Sequence, residues 1–388
     1  MKAIVVGAGF GGLTAAVGLF QRGWDVTVVE RAGELRPVGS GLAVAPNGLR
    51  ALDTLGVGDA VRKLAAFQGD AAVTRPDGWV IARTASKAMI RRFGDAVIPA
   101  TRSSVMDVLT ELLPADAFLL GVAANGVEAG SASQRPRLLT DSGPLEADLI
   151  VAADGVNSSL RRALFPEHPG AVYSGITAWR LLVPTPAGDF LPGEVWGGGR
   201  VFGITPLADS RTYAYAADHA EAGVTYSDEK AELLRRFGDW HFPIPQLISA
   251  ADPGTVLHND IYEIAEPLPA YHRGAVAVLG DAAHAMTPHL GQGANQAMED
   301  GVTLAALVGS AKGSAELATA LAQYTALRAP RGADMVRRSR RMAALTQSSS
   351  RPKEALRNLG MSLVGRLVPD LALRAMDPVV AWQPPQGP

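Results

Sequence analysis

The first thirty residues constrain the fold of this chain more than any other stretch. An apolar run of strand length, Lys2–Val6, passes directly into the sequence GAGFGG at residues 7–12, and a helical pattern follows. A second apolar run ends at Glu30, 18 residues after the last of these glycines. This order of strand, GxGxxG turn, helix and strand with a terminal acid predicts a dinucleotide-binding βαβ unit.

Each part of this pattern has a physical role in holding a nucleotide. Gly7 permits the tight turn, Gly9 lets the backbone approach a pyrophosphate, and Gly12 lets the helix pack closely on the strand. The free N–H groups at the helix start face the anion, and Glu30 is placed to accept hydrogen bonds from a ribose diol. We therefore predict a dinucleotide site rather than a glycine-rich turn of another α/β unit.

Composition narrows the class of protein. The 388 residues are 47% hydrophobic and 19% charged, as in ordinary globular proteins, and give room for two structural lobes. The net charge of −2 provides no strong field for nucleic acid or an anionic membrane. The lack of cysteine excludes thiolate catalysis and Cys-ligated metals, and we expect no metal centre. The apolar runs are too short for a signal peptide or a membrane span, so we expect a cytoplasmic protein.

Further apolar runs predict the rest of an α/β architecture. Runs at 145–153 and 275–279 have the composition of buried strands and end in the acids Asp154 and Asp281. Because ligands of α/β sheets bind at the carboxyl ends of strands, both acids are expected beside the nucleotide. A glycine-rich turn at 291–295 then opens a helix, so a second positive helix end points into the site.

From about residue 173 the pattern changes to short alternating or aromatic-rich runs. Such runs lie at 177–183, 200–204 and 211–216, separated by Pro and Gly turns. They predict an antiparallel sheet and hence a second lobe. A strand pair predicted at 69–83 is assigned to the same lobe.

Three fingerprints occur in one order along the chain. They are GAGFGG at 7–12, DGVNS at 154–158 and GDAAHAMTPHLGQGANQAMED at 280–300. In this combination the chain resembles the single-component FAD-dependent aromatic hydroxylases, or group A flavoprotein monooxygenases, over nearly its whole length. The compact length and the segment GSGLAVAPNGL at 39–49 resemble the salicylate, 6-hydroxynicotinate and urate hydroxylase branch.

The resemblance implies an α/β fold in three parts. These are a Rossmann-like FAD-binding domain with a mostly parallel sheet, an inserted antiparallel-sheet substrate lobe, and a C-terminal helical segment with a tail. The expected boundaries are 1–68, 101–172 and 268–345 for the first part, 69–100 and 173–267 for the second, and 346–388 for the third.

The resemblance also implies which residues bind FAD. The glycines of the first fingerprint hold the pyrophosphate, and Glu30 holds the adenosine ribose. Arg31 and Ala124 lie beside the adenine, whereas Arg102 and Asp281 approach the phosphates or the ribityl chain. The full set of expected cofactor-binding residues is Gly7, Gly9, Gly11, Gly12, Glu30, Arg31, Gly41, Leu42, Arg102, Ala124, Asp154, Gly155, Asp281, Pro288, Gly291, Gln292, Gly293, Ala294 and Asn295.

The implied activity is a monooxygenase reaction. NADH or NADPH reduces the flavin, and a flavin C4a-hydroperoxide formed with O2 transfers oxygen to an aromatic or electron-rich ring. N–H groups at the helix start after Gly293 would stabilise the charge of reduced flavin, and an apolar pocket under the antiparallel sheet would exclude water. The expected partners are a small aromatic or polycyclic substrate and O2, with no nucleic acid and no membrane, in a monomer or homodimer.

The candidates for acid–base work on a phenolic substrate are His289, Arg200 and Tyr213. His289 precedes the flavin-facing glycines, and the alternative is a surface or capping histidine. Arg200 and Tyr213 fall where the urate hydroxylases carry substrate-contacting Arg and Tyr, and the alternative is a pair of exposed strand residues. Three aromatic residues are candidates for lining the pocket, with ordinary core packing as the alternative: Trp179, Trp196 and Phe202.

Other functions stay open on the sequence alone. Flavoprotein epoxidases, geranylgeranyl-reductase-like enzymes and antibiotic- or polyketide-modifying oxygenases share parts of the pattern. Tryptophan halogenases share the first fingerprint but carry a Trp-x-Trp-x-Ile-Pro motif, which this chain lacks. A non-oxygenase FAD protein is a different class, and its flavin would never be reduced by NAD(P)H.

Overall fold

The computed structural model describes residues 1–35, 40–65, 70–131, 134–367 and 369–385. Three sequence features extend beyond these ranges. Gly39 of the segment at 39–49, Gly69 of the strand pair predicted at 69–83, and the last three residues of the tail lie outside the described residues.

Strands and helices are numbered here in chain order. The strands are β1 Lys2–Val6, β2 Asp25–Glu30, β3 Gly41–Val44, β4 Ala71–Thr74, β5 Val80–Thr84, β6 Ile98–Thr101, β7 Phe118–Leu120, β8 Ala124–Glu128, β9 Arg137–Thr140, β10 Gly143–Glu146, β11 Leu149–Ala152, β12 Val172–Pro184, β13 Gly193–Gly197, β14 Arg200–Pro206, β15 Arg211–His219, β16 Leu257–Glu263, β17 His272–Arg273 and β18 Val276–Val278. The helices are α1 Phe10–Phe20, α2 Pro46–Asp53, α3 Gly58–Arg62, α4 Ser86–Phe93, α5 Arg102–Thr110, α6 Ser159–Leu164, α7 Glu229–Phe237, α8 Ile244–Ala250, α9 Asp281–His284, α10 Gly293–Val308, α11 Ser314–Thr346, α12 Arg351–Leu367, α13 Pro369–Ala375 and α14 Asp377–Val380. Short 3-10 turns lie at Ala115–Ala117, Pro253–Thr255 and Pro288–Leu290.

A six-stranded sheet in the order β17-β18-β11-β1-β2-β7 contains β1 and β2, the two strands on either side of the GxGxxG turn and α1. The strands from β18 to β7 are parallel, and β17 pairs antiparallel at one edge. Their continuous apolar runs are buried, as expected for a parallel sheet covered on both faces. The predicted α/β fold with a mostly parallel sheet is confirmed.

The second large sheet has seven strands in the order β16-β12-β15-β14-β13-β4-β5. It is antiparallel except where β13 pairs parallel with β4. Its outer face packs on α7 and α8 through a core that includes Trp179, Phe202 and Phe237. Its inner face carries Ala178 and Ala217 and packs on the end of α11.

The run predicted as one strand at 145–153 is two strands. Leu145 lies in β10, which pairs with β9 in a separate three-stranded sheet, and only Leu149–Ala152 enters the six-stranded sheet. Between them, the Asp148 carboxylate accepts a hydrogen bond from the Lys2 N–H at 2.8 Å. A polar residue that anchors the strand entry therefore interrupts an otherwise apolar run.

Four helices cover the C-terminal part of the chain. α11 is 33 residues long, and α12, α13 and α14 follow it. The chain then returns to α2, where Arg50 donates hydrogen bonds to the carbonyls of Val380 and Trp382. None of the helices in the described ranges combines the length and apolarity that a membrane crossing requires.

Candidate active site

The GxGxxG turn is packed on every side except the one that would face a nucleotide. A Cβ atom added at Gly7 would lie 2.4 Å from the Ala153 carbonyl oxygen, and one added at Gly12 would lie 1.9 Å from the Gly7 oxygen. One added at Gly9 would have no protein atom within 4 Å. The N-terminus of α1 has no side-chain cap, so its N–H groups and the open side of Gly9 fit a pyrophosphate.

Gly11 has a different role from Gly9. Its added Cβ would lie 2.5 Å from the Leu279 side chain and 3.2 Å from Ala297 of α10. The glycine therefore allows α1 and α10 to approach closely.

Glu30 is held in place at the end of β2. Its carboxylate accepts hydrogen bonds from the N–H groups of Ala8 and Ala32, at 2.9 and 3.0 Å. Arg31 follows it and is exposed. Ala124 begins β8, and its carbonyl accepts a hydrogen bond from Ser159 at 3.0 Å. The fixed Glu30 carboxylate retains lone pairs for a ribose diol.

Arg102 and Asp281 lie close to one another. Arg102 begins α5 and stacks on the Phe10 ring, with its guanidinium carbon 4.6 Å from the ring centroid. Burial lowers the pKa of Arg102, and the charge of Asp281 opposes that shift. The Arg102 N–H also donates to the Ser40 carbonyl at 2.9 Å, next to Gly41. These contacts join α5, α9 and β3 beside the nucleotide turn.

Asn295 fastens the loop before α10 to β3. Its amide oxygen accepts a hydrogen bond from the Ala45 N–H at 3.0 Å, and its amide nitrogen donates to the Ala43 carbonyl at 3.0 Å and the Gly291 carbonyl at 2.8 Å. Gln292 accepts a hydrogen bond from a buried asparagine of α2 at 2.9 Å. The side chains of Asn295 and Gln292 are fully buried, so they position the loop, and its backbone is what remains for a cofactor.

The backbone of this loop is accessible. Pro288 and Gly291 are exposed, whereas Gly293 and Ala294 are partly exposed. α10 begins at Gly293 and has no side-chain cap, so its first N–H groups are free to stabilise negative charge. Leu42 is likewise partly exposed on β3, the strand that this loop contacts.

The Asp154 carboxylate is used inside its own loop. It accepts hydrogen bonds from the Ser158 hydroxyl at 2.5 Å, the Leu160 N–H at 3.2 Å and the Ser159 hydroxyl at 3.4 Å. These bonds cap α6. Gly155, with φ of +79° and open space around it, leaves its backbone accessible. The Asp154 side chain thus shapes its own loop, and its expected place beside the cofactor stays a prediction.

A buried charge network supports the turn that carries Asp281. Asp300 accepts hydrogen bonds from the Gly280 N–H at 2.9 Å, from His284 at 2.5 Å and from Arg328 at 2.5 Å. Glu299 also pairs with Arg328. Burial alone would raise the pKa of Asp300, but Arg328 and His284 outweigh it and hold that pKa at about 2. The network therefore carries permanent charge beneath the turn.

Tyr213 connects the seven-stranded sheet to β3. It lies on the inner face of β15, and its ring occupies the space that a Cβ atom at Gly41 would need, at 2.3 Å. Burial raises the pKa of the Tyr213 phenol, and the guanidinium groups of Arg180 and Arg102 oppose that rise. A phenol and two cations thus meet at the junction of β3, α5 and the seven-stranded sheet.

Three polar residues of the inner face were not anticipated. Tyr215 lies two residues after Tyr213, and its hydroxyl donates a hydrogen bond to Glu194 on β13. Arg180 on β12 lies directly opposite Tyr215. The two-residue period of Tyr-Ala-Tyr at 213–215 was the available signal, because it places both rings on one face of a strand.

The arrangement of these elements matches known flavoproteins. The sequence model of the FAD binding domain family matches residues 1–182 and 262–339. The chain belongs to this FAD-binding family. It therefore binds FAD, and the resemblance inferred from the fingerprints is confirmed. We name the space between the GxGxxG turn, Glu30 and the loop before α10 the FAD groove, because it is where the fingerprints predict this cofactor.

Individual relatives indicate the activity of this chain within the family. Aurachin C monooxygenase/isomerase from Stigmatella aurantiaca is 36% identical over 351 residues, which cover 89% of this chain and 90% of that protein. 3-Amino-4-hydroxybenzoate 2-monooxygenase from Streptomyces cremeus is 36% identical, with coverage of 88% and 87%. The structure of Klebsiella pneumoniae HpxO complexed with FAD and uric acid superimposes with a TM-score of 0.89 at 29% identity, covering 98% of this chain and 97% of that chain. This flavoprotein is accordingly an FAD-dependent monooxygenase of the aromatic hydroxylase type.

Arg200 does not reach the FAD groove. Its guanidinium stacks on the rings of Phe237 and Trp240, 5.6 Å from each centroid, and donates to the Arg236 carbonyl. Alternate residues of β14 face opposite sides of the sheet, so Arg200 shares the outer face with Phe202. Trp179 also lies in that outer core, and of the three aromatic residues considered for the pocket, Trp196 alone is on the inner face.

His289 lies in the 3-10 turn at the start of the FAD-facing loop, and its environment disfavours protonation. Both ring nitrogens are buried. Burial, with a smaller contribution from His219, lowers the pKa of His289 to about 4, and a weaker interaction with the Gln347 side chain opposes that shift. A general base works best with a pKa near the operating pH, so the neutral His289 is poorly suited to that role. Across the described ranges, His, Asp and Glu side chains do not gather into a group that could hold a metal ion.

Proposed function

We propose that this flavoprotein uses NAD(P)H and O2 to hydroxylate an aromatic or electron-rich ring that binds between the FAD-facing loop and the inner face of the seven-stranded sheet. The observation that carries this proposal is the position of Tyr213. Its ring packs on Gly41 beside the groove, and its phenol lies near Arg102, whose charge also interacts with Asp281. One phenol therefore adjoins both the FAD groove and the polar part of the sheet.

The chain's own residues orient the substrate and control its charge. When bound, FAD supplies the reaction with O2 that activates oxygen for transfer. The Tyr213 hydroxyl keeps its proton at neutral pH, because burial raises its pKa, and it can donate a hydrogen bond to a substrate oxygen. Arg180 stabilises negative charge on that oxygen, which favours the deprotonated, electron-rich form of a phenolic ring. The free N–H groups of α10 stabilise negative charge on the opposite side of the site.

Apolar residues of the inner face protect the reaction from water. Ala178, Val201 and Ala217 are buried on this face and pack against Ala343 near the end of α11. Such a wall excludes solvent from a site where activated oxygen would otherwise be lost as hydrogen peroxide. The names of two relatives indicate nitrogen-bearing ring compounds, 3-amino-4-hydroxybenzoate and uric acid, which supports a substrate of comparable size and polarity.

The test is NAD(P)H oxidation by the purified FAD-loaded protein in the presence of candidate substrates. Phenolic acids, hydroxypyridines, urate, quinolones and polyketide phenols would be compared, with O2 consumption and peroxide followed together. We expect one class to stimulate oxidation strongly with little peroxide, and a hydroxylated product to appear. Failure of both nicotinamide cofactors to reduce the bound FAD with every compound would contradict the proposal and favour a non-oxygenase FAD protein.

We propose that the enzyme works as a monomer or a homodimer. Light scattering after size-exclusion chromatography would measure the assembly, and a stable tetramer would contradict this proposal. A cytoplasmic location stays a prediction that rests on the need for a supply of reduced nicotinamide.

A further inference from the structure

Glu194 is a carboxyl group placed on the inner face of the sheet without a cationic partner. Burial raises the pKa of Glu194, and among the described residues the opposing contributions come from two neutral donors, Tyr215 and Trp196. The residue as a whole, backbone included, keeps part of its surface accessible. A buried carboxyl group with no counter-charge among the described residues is costly unless a further donor binds to it.

The two hydrogen bonds that Glu194 accepts leave lone pairs on its oxygens for such a donor. The Tyr215 hydroxyl donates to Oε1, and the Trp196 indole N–H donates to Oε2 at 2.6 Å. A carboxylate offers about four lone-pair sites, so each oxygen retains one. The existing bonds fix the orientation of the carboxyl group and do not saturate it.

Gly203 makes this arrangement possible. It lies between the two partners across the sheet, paired with Glu194 on one side and with Tyr215 on the other. A Cβ atom added at Gly203 would lie 2.1 Å from the Tyr215 ring. Because β14 has no side chain here, the Tyr215 ring can lie flat across the strand and reach Glu194.

The inner face therefore has a cationic end and an end that carries a carboxyl group, and the Tyr215 ring lies between them. Arg180 and Tyr213 lie at the end that adjoins the FAD groove. The charge of Arg102 also acts on the Tyr213 phenol there. Glu194 lies across Gly203 at the other end. A planar ring that carries an oxygen at one edge and a hydrogen-bond donor at the other complements this distribution of charge.

We infer that Glu194 determines substrate specificity by accepting a hydrogen bond from an N–H group on the substrate ring. The favoured substrate class is an aromatic ring that bears both an oxygen and an N–H donor, such as a pyridone, a quinolone or an aminophenol. Its oxygen faces Arg180 and Tyr213, and its N–H group faces Glu194. This assignment rests on the proposed function only in placing the substrate on the inner face.

The experiment compares matched ligands on the full-length FAD-loaded protein without NAD(P)H. 4(1H)-Quinolone and 1-naphthol have the same two-ring frame, but the second has C–H in place of the ring N–H. 2-Aminophenol and 2-methylphenol provide a second pair, in which a methyl group replaces the N–H donor. Binding would be followed by the change in flavin absorbance, which needs no turnover. We expect the N–H member of each pair to bind about tenfold more tightly, the size of one hydrogen bond.

Three variants assign the preference to a residue. Glu194→Gln should reduce the preference for the N–H ligand by about tenfold, with FAD content unchanged. Tyr215→Phe leaves the carboxyl group in place and should retain the preference. Glu263→Gln changes a buried glutamate of β16, which pairs with Arg340, and serves as the matched control in the same sheet.

The outcomes separate this inference from the proposed function. Equal binding of both members of each pair to the wild-type protein, no binding of either N–H ligand, or an unchanged preference in Glu194→Gln would overturn the assignment of Glu194. If the preference is present but NAD(P)H never drives oxygenation of any bound ligand, the proposed function fails and the assignment of Glu194 stands. If naphthol and 2-methylphenol are hydroxylated as efficiently as the N–H compounds, the proposed function stands and the specificity assignment fails.

Discussion

The FAD groove and the inner face of the seven-stranded sheet are built in different ways. The groove is made from short contiguous segments, the glycine turn at 7–12 and the loop at 288–295, each placed at the start of a helix. The inner face is made from single residues on separate strands, with Arg180 on β12, Tyr215 on β15 and Glu194 on β13. Local backbone geometry thus decides the cofactor side, whereas pairing between distant strands decides the substrate side.

The two regions also differ in how deeply their polar residues are buried. Asn295 and Asp300, behind the FAD groove, are fully buried, and every oxygen of these two side chains accepts a hydrogen bond. The oxygens of Glu194 are also partnered, but the residues Glu194 and Tyr215 are only partly buried. A buried frame on the cofactor side and partly buried polar residues on the substrate side are what a fixed cofactor and a variable substrate require.

The largest effect that would test this comparison is expected for Gly9→Val. Because no protein atom lies within 4 Å of a Cβ atom at Gly9, the folded protein can accommodate the side chain, but the pyrophosphate cannot. We expect FAD affinity to fall more than about a hundredfold, which leaves colourless protein with native circular dichroism. The measurement is the ratio of flavin to protein absorbance after desalting.

Gly313→Val is the matched control for this change. Gly313 precedes α11 with extended backbone and open space around it, far along the chain from the nucleotide turn. It should retain full flavin content. Stoichiometric FAD in Gly9→Val would remove the GxGxxG turn from the FAD site.

The next largest effect is expected for Asp300→Asn, on the more deeply buried side of the comparison. The substitution leaves Arg328 with one buried anionic partner fewer and weakens the bonds to Gly280 and His284. Removing one partner of a buried ion pair costs about 3–5 kcal/mol of unfolding free energy. Urea unfolding would measure that loss, and Asp334→Asn, which removes an ion pair with the half-exposed Arg338, should cost less than about 1 kcal/mol. Equal losses in the two variants would mean that the Asp300 network contributes no more than a surface pair.

The same contrast explains how much the sequence could predict. The turn at 7–12 and Glu30 were identifiable because glycine spacing and a helix start are local patterns, and their order along the chain is distinctive. Arg200 was misplaced because a single residue on a strand faces either side, and only the pairing of β14 with its neighbours decides which. Glu194 had no local signal at all, since its importance arises from Gly203 and Tyr215 on two other strands.

A pair of arginine variants would test which face of the seven-stranded sheet contacts the substrate. Arg180→Met removes the inner-face cation beside Tyr213, and we expect kcat/KM to fall about tenfold to a hundredfold with FAD content unchanged, because one charge-assisted contact with the substrate is lost. Arg200→Met removes a cation from the outer face of the same sheet, where it stacks on Phe237 and Trp240. It should change kcat/KM less than about threefold. A larger loss in Arg200→Met than in Arg180→Met would reverse the assignment of the two faces.

The smallest effect is expected for His289, which lies where the FAD groove and the inner face of the sheet meet. This effect is a change in how the free energy of unfolding depends on pH. The pKa of His289 is about 4 in the folded protein and 6.5 in its ordinary environment. A folded pKa below the unfolded one means that the unfolded chain binds more protons between these values. The contribution of neutral His289 is therefore fully present above pH 6.5 and is lost as pH falls towards 4. In His289→Gln, the decrease in unfolding free energy from about pH 7.5 to about pH 5 should be smaller than in the wild type by about 1–2 kcal/mol. Urea unfolding at both pH values measures this difference, and parallel decreases in the two proteins would show that His289 is protonated as readily in the fold as in the unfolded chain, which would restore it as a candidate base.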